Sequence, residues 1–328
     1  MTDPEQRRND RLMRHATYAA VATAATLVVA KVAAWAMTGS VALLSSLVDS
    51  LLDTAASLVN LLAVHQALQP ADPEHRFGHG KAEPLAGLGQ AAFITGSAVF
   101  VGFEAVRRLF DPAPVGRLDV GIGVMLFSMA MTLALVWFQK HVIRTTGSVA
   151  INADSLHYTG DLLINGSVIV ALAGAKLFGL TLLDPLFAVG IAVYLIFNAA
   201  RIATQSLNLL MDREFLEEDR QKIRDVVIQQ PGVIDMHDLR TRSSGPRGFI
   251  QLHLEMDRNL PLWQAHDIAD AVEMRLRDIF PNAEVIIHED PSGLYEAHPE
   301  FSYEAQPGRA ADISIMAPNA VPIQGRET

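Results

Sequence analysis

The stretch "VALLSSLVDSLLDTAASLVNLLAVHQ", residues 41–66, is long and apolar, yet Asp49 and Asp53 stand four positions apart within it. A helix with 3.6 residues per turn turns both carboxylates to one face. A bilayer core takes about 20 helical residues to cross, so the run reads as a membrane span. From a start near Val41 the two carboxylates lie about 12 and 18 Å along the axis at 1.5 Å per residue, far from either interface. Charge at that depth is costly and marks function unless it is paired or protonated. The pair alone fits three roles: lining a water-filled vestibule, sharing one proton, or holding an ion.

The rest of the chain supports a membrane protein. Of 328 residues 50% are hydrophobic and only 19% charged, richer in apolar residues than an ordinary soluble domain. Six spans are expected, near 16–37, 41–66, 86–110, 118–138, 149–175 and 184–209, joined by short loops with Pro, Gly or charge. The apolar run after "MTDPEQRRNDRLMRH" is too long for a signal peptide and lacks a small-residue cleavage site, so it is expected to be a retained first helix. Arg7, Arg8, Arg11 and Arg14, then Arg76 and Lys81, then Lys140 and Arg144 fall on one side; Arg107, Arg108, Arg117 and Lys176 fall on the other. By the positive-inside rule both termini are cytoplasmic. Lys31, about 22 Å along the first span by helical rise, has a stem long enough to snorkel to the outer interface.

From about residue 211 the composition changes. "MDREFLEEDRQKIRDVVIQQPGV", 211–233, is a charged amphipathic helix. "VIDMHDLRTRS" and "GFIQLHLEMD" flank a "SGPRG" turn, and in the second Ile250, Leu252, Leu254 and Met256 alternate with polar residues as a half-buried strand requires. "PLWQAHDIADAVEMRLRDIF" is an amphipathic helix and "AEVIIHED" a closing strand. The fold class expected is an α-helical membrane protein of six spans with a C-terminal α+β domain, order α-β-β-α-β and ferredoxin-like. The divisions expected are a cytoplasmic segment 1–15, a membrane domain 16–210, a cytoplasmic domain 211–295 and a disordered tail 296–328, where Pro, Gly, Ala and polar residues show no periodicity.

There is no cysteine, so any metal site must use His, Asp or Glu. A formal charge of −10 without a basic run excludes a nucleic-acid partner. "GHGKA" lacks the Walker glycine spacing, and no HExxH is present, which speaks against an ATP-driven pump and against a membrane metallohydrolase.

"SLHYTGD", 155–161, repeats the spacing of the second span, with His157 and Asp161 four apart. From a start near Ser148 they lie about 14 and 20 Å along the fifth helix, so both pairs reach the middle of the membrane. Asp49, Asp53, His157 and Asp161 then supply carboxylates and one imidazole, a four-ligand set suited to tetrahedral Zn²⁺ and tolerable for Fe²⁺, Mn²⁺, Co²⁺ and Cd²⁺. A second cluster, Asp72, His75 and His79 in "QPADPEHRFGHGKAEP", fits either a solvated loop or a metal site. A third, His237, His253, His266, His288 and Asp290, is spread over the strands and the last helix; a polar sheet face and a metal centre both account for it.

The chain resembles the cation diffusion facilitators, most closely their bacterial ferrous-iron/zinc efflux subgroup, over residues 12–292. The likeness rests on "TGSVALLSSLVDSLLD", "LQPADPEHRFGHGKAEPLA", "ADSLHYTGD", "HDLRTRSSGP", "IQLHLEMD" and "LPLWQAH". It implies a homodimer in the bacterial inner membrane that exports a divalent metal cation in exchange for protons, amid membrane lipid. It further implies a transport site at Asp49, Asp53, His157 and Asp161, a loop site at Asp72, His75 and His79, and a binuclear cytoplasmic site. There one ion takes His237, His266 and Asp290, the other His253 and His288 with Asp290 bridging. Glu289 stands where that family often has Gln, and a Lys–Asp pair near the membrane would be Lys81 and Asp212.

Overall fold

The computed structural model describes residues 4–38, 41–110, 121–178, 182–245 and 247–293. The tail expected at 296–328 and Arg117 lie outside those residues. Six long helices come first: α1 (Pro4–Thr38), α2 (Val41–Ala67), α3 (Ala82–Phe110), α4 (Gly121–Thr146), α5 (Val149–Phe178) and α6 (Leu183–Leu210). Among the described residues five stretches are long and apolar enough to cross a membrane: Gln6–Met37, Ser46–Ala67, Ala82–Arg107, Gly123–Thr146 and Pro185–Leu210. They belong to α1 to α4 and α6. The chain is therefore a multi-pass membrane protein.

Two helices run further than the apolar signal suggests. α1 begins at Pro4, well ahead of residue 16. Proline suits a first helical turn, and Glu, Gln and Arg are good helix formers. Met13 and Ala16, 2% and 0% exposed, pack with Val64, Val142, Ala150 and Ile151, so this polar-looking start has a buried side. The same cluster extends α4 to Thr146, through Phe138 and Val142. Elsewhere small residues set the packing: Ala91 and Ala98 of α3, Ala153 of α5 and Ala199 of α6 lie in one buried cluster, since alanines let helix backbones approach closely.

The C-terminal part contains α7 (Glu217–Ile228), β1 (Val233–Ser244), β2 (Arg247–Met256), α8 (Leu262–Ile279) and β3 (Ala283–Pro291), the expected α-β-β-α-β order. The sheet has order β1-β2-β3, with β1 and β2 antiparallel and β2 and β3 parallel. Among the described residues it has no counterpart of the first strand of a complete β-α-β-β-α-β ferredoxin-like unit. Ile250, Leu252, Leu254 and Met256 all face one buried core with Ile223 and Val227 of α7 and Val272 and Leu276 of α8. The period of two leaves His253 on the opposite face.

The two parts meet where α6 ends. Lys81 Nζ donates to the Leu210 carbonyl at 3.3 Å and lies 3.0 Å from Asp212 Oδ2, so the expected ion pair is present and also caps the last turn of α6. Asp212 takes a left-handed conformation (φ 54°), and Arg242 of β1 approaches it at 3.5 Å. The Arg242 guanidinium sits over Phe77 and Phe249 at 4.8 and 4.6 Å. Beside this contact Gly80 lies so near the β1–β2 turn that a Cβ there would stand 2.2 Å from the Ser244 carbonyl oxygen.

Gly80→Ala must therefore push the loop and the turn apart. We expect a loss of about 1–3 kcal/mol, as for other overpacked sites, read as a lower thermal midpoint in detergent. Gly89→Ala, whose Cβ meets nothing within 4 Å, should leave the midpoint unchanged or raised.

Candidate metal centre

Helical spacing brings the two membrane pairs together. Asp53 comes from α2, His157 and Asp161 from adjacent turns of α5. His157 Nε2 lies 3.0 Å from Asp53 Oδ1 and 3.8 Å from Asp161 Oδ2. The three residues each offer a ligand atom within 4.8 Å of the others. Ligands about 2.0–2.1 Å from a tetrahedral Zn²⁺ stand about 3.3 Å apart, so the observed separations bracket what a small divalent ion needs. Phe93 of α3 packs its edge on the His157 ring, centroids 5.8 Å apart.

Asp49, one turn before Asp53, borders the same cavity of about 740 Å³ but stands outside the close group of three. The cavity also takes in Lys31. Its ammonium donates to the Ser46 carbonyl at 3.0 Å and to Ser50 Oγ at 2.6 Å. Hydroxyl and carbonyl acceptors on α2, with carboxylates close by, satisfy the charge more directly than snorkelling does.

One polar residue escaped the sequence reading. Asp154 is fully buried, 0% exposed, one turn before His157. The Gln139 amide of α4 donates to its Oδ2 at 2.6 Å, and the Gln90 amide of α3 to its Oδ1 at 3.1 Å. Ser57 of α2 donates at 3.4 Å and also meets the Tyr158 hydroxyl at 2.8 Å. Four helices are thus joined on one carboxylate directly beside the ligand turn. The signal available in the sequence was a further Asp in "ADSLHYTGD", at the ligand helix itself.

In the loop after α2, Asp72, His75 and His79 converge. His75 Nδ1 and His79 Nε2 lie 3.2 and 3.3 Å from the two Asp72 oxygens, and the rings are 4.5 Å apart. The backbone N–H of His75 is foremost in holding the Asp72 carboxyl below the ordinary carboxylate range, so it stands charged toward the imidazoles. His79 Nδ1 is buried without a hydrogen-bond partner among the described residues.

The cytoplasmic cluster follows strand register. His237 pairs with His253 across β1 and β2, and His253 with His288 across β2 and β3, forming a row on the face away from the core. An irregularity between His237 and Arg240, with Asp238 left-handed at φ 48°, interrupts β1 just past the row. Asp290 joins the row: its carboxylate lies 2.8 Å from His253 Nδ1, 3.4 Å from His237 Nε2 and 3.1 Å from His288 Nε2. His237, His253 and Asp290 form the close group. His266 is not drawn in; on α8 it is 64% exposed and faces Asp270 at 3.6 Å.

The chain matches the cation efflux transmembrane domain over residues 17–211 and the cation efflux protein cytoplasmic domain over 216–292. The cation-efflux pump FieF of Klebsiella pneumoniae is 49% identical over 294 residues, covering 90% of this chain and 98% of that protein. FieF of Salmonella choleraesuis is 50% identical over 284 residues, covering 87% and 94%. A structure of CzrB in its zinc form is 31% identical, covering 26% of this chain and 99% of that one, with a TM-score of 0.25.

Asp154→Ala strands the Gln90 and Gln139 amide donors in a buried setting. Each unsatisfied donor costs on the order of 1–3 kcal/mol, so the thermal midpoint in detergent should fall clearly. Asp154→Asn, which keeps the shape and one acceptor oxygen, should fall less. Equal midpoints for the alanine variant and wild type would show that the four-helix junction contributes nothing.

Proposed function

The chain belongs to the cation efflux family, the cation diffusion facilitators, and from that premise we propose that it exports a divalent transition-metal ion from the cytoplasm by proton antiport. The family is one of transporters, not of enzymes, and cation efflux is accordingly this chain's activity. The transport site of the proposal is Asp49, Asp53, His157 and Asp161. Zn²⁺ is the favoured substrate, with Fe²⁺, Mn²⁺, Co²⁺ and Cd²⁺ accepted by the same donor chemistry.

The observation that carries the reading is His157 Nε2 standing between two carboxylate oxygens at 3.0 and 3.8 Å. A proton on that nitrogen bonds to the carboxylates; a metal ion needs the same lone pair and the same oxygens. The two cannot be held together. Each passage of metal one way then returns protons the other way. Carboxylates compensate the doubly charged ion, and Asp49 closes the ligand set from one turn away on α2. Lys31 keeps the carboxylates from lacking all positive charge when no metal is present.

In the same proposal six spans cross the inner membrane, α5 among them, and both termini are cytoplasmic. Residues 1–15 form a cytoplasmic segment, 16–210 the membrane domain, 211–295 a cytoplasmic domain and 296–328 a tail. Two copies associate through the cytoplasmic domain, which the match to the family's cytoplasmic domain supports. Metal on Asp72, His75 and His79, and on His237, His253, His266, His288 and Asp290, regulates the dimer. His266, exposed on its helix, is the fourth imidazole of that site in the proposal.

Asp53→Ala and Asp161→Ala should each lower metal flux into proteoliposomes to the level of empty vesicles while the protein stays folded. Wild-type flux from either folded variant would remove these residues from the transport site.

Acidification from about pH 7.5 to 5.5 crosses the ordinary imidazole range, so metal binding at the membrane site should weaken as pH falls. With an imposed pH gradient, wild-type flux should follow the gradient and an enclosed pH dye should report protons moving opposite to metal. His157→Asp keeps four ligands but no imidazole, and its flux should respond less. Metal flux without counter-moving protons would make the protein a uniporter or a channel.

A further inference from the structure

A cavity of about 500 Å³ lies between α4, α5 and α6, toward the end of α6 that leads into the C-terminal domain. Lys140 and Arg144 of α4 and Arg201 of α6 border it, with Asn152, Asn198 and Gln205, and no carboxylate does. Arg201 falls inside the apolar stretch Pro185–Leu210, about 13 Å before its end by helical rise. Among the described residues none of the three cations makes an ion pair; Arg201 rests over the ring of Phe197, one turn back, at 5.7 Å. Three positive groups sharing one recess repel each other, and a cation at membrane depth is stabilised only by a partner. The partner the recess lacks is an anion.

The surroundings select its kind. Trp137, one turn before Lys140, is 77% exposed; Val193 and Phe197 are 63% and 62% exposed, and Tyr194 on the cavity wall is 45% exposed. Trp and Tyr belong at the level of lipid headgroups, and apolar side chains so exposed on membrane helices face acyl chains. We propose that the recess binds the phosphate headgroup of an anionic phospholipid, whose acyl chains lie along Trp137, Val193 and Phe197. Its volume suits a headgroup-sized ligand, and basic pockets between membrane helices on the cytoplasmic side are suited to anionic headgroups. The inference rests on the proposed orientation, with α4 and α6 crossing the bilayer and the C-terminal domain cytoplasmic, and is separate from the ion transported.

The full-length protein in vesicles of phosphatidylcholine with phosphatidylglycerol tests it, with native mass spectrometry after extraction counting the lipid retained. Wild type should keep phosphatidylglycerol in preference to phosphatidylcholine. Removing two cations in Arg144→Gln/Arg201→Gln should lower that preference on the order of thirtyfold, and Arg144→Lys/Arg201→Lys should retain most of it. Metal binding at the membrane site serves as the folding control and should be unchanged in both variants. Equal retention by wild type and the glutamine variant overturns the proposal. So does inorganic phosphate, if at millimolar concentration it raises the wild-type thermal midpoint as much as the lipid does, because the site is then one for a free anion.

Discussion

A carboxylate inside an apolar helix bundle must be met by a cation, a proton or a set of donors. The membrane half of this protein is organised around three answers to that demand. Asp53 and Asp161 meet an imidazole, His157. Asp154 meets two amides and a hydroxyl drawn from three other helices. Lys31, bound to α2 through Ser46 and Ser50, brings an amino group to the cavity that Asp49, Asp53 and Asp161 line. The His157 pairing and the Asp154 junction lie one helical turn apart on α5. Asp154 has donors from three other helices, whereas Asp53 and Asp161 share the single imidazole of His157.

Much of this was legible because helices repeat with a fixed period. Two residues four apart share a face whatever surrounds them, so Asp49 with Asp53 and His157 with Asp161 could be paired on the page. Strand alternation likewise put Ile250, Leu252 and Leu254 inside and His253 outside. Asp154 was not legible, because its partners Ser57, Gln90 and Gln139 are remote in sequence and none is unusual in its own segment. The early start of α1 was hidden for a similar reason: Met13 and Ala16 are core residues only once α2, α4 and α5 stand beside them. Lys31 was read from reach alone, which says how far a stem extends and not what it meets on the way. His266 looked like its neighbours in composition, yet α8 turns it outward.

The junction between the halves places chemistry and mechanics side by side. The loop after α2 carries Asp72 and His75, then Phe77 against Arg242, then His79, then Gly80 against Ser244, then Lys81 on the end of α6. Any rearrangement of the loop's imidazoles is felt within a few residues by the contact that seats the C-terminal domain. The close approach at Gly80 leaves little slack for the two to move independently.

The row His237, His253, His288 carries a consequence for how this domain can change over generations. The side-chain period of a strand is two, and His253 shares β2 with the core residues Ile250, Leu252 and Leu254. Point replacements on the outer face leave the inner face alone, so the chemistry of the row can change while the core is kept. A single-residue insertion or deletion in β2 has no such freedom. It would turn His253 into the interior and its aliphatic neighbours on β2 out to water in one step. Descendants of this chain can retune the row by substitution, while changes of length are confined to the turns.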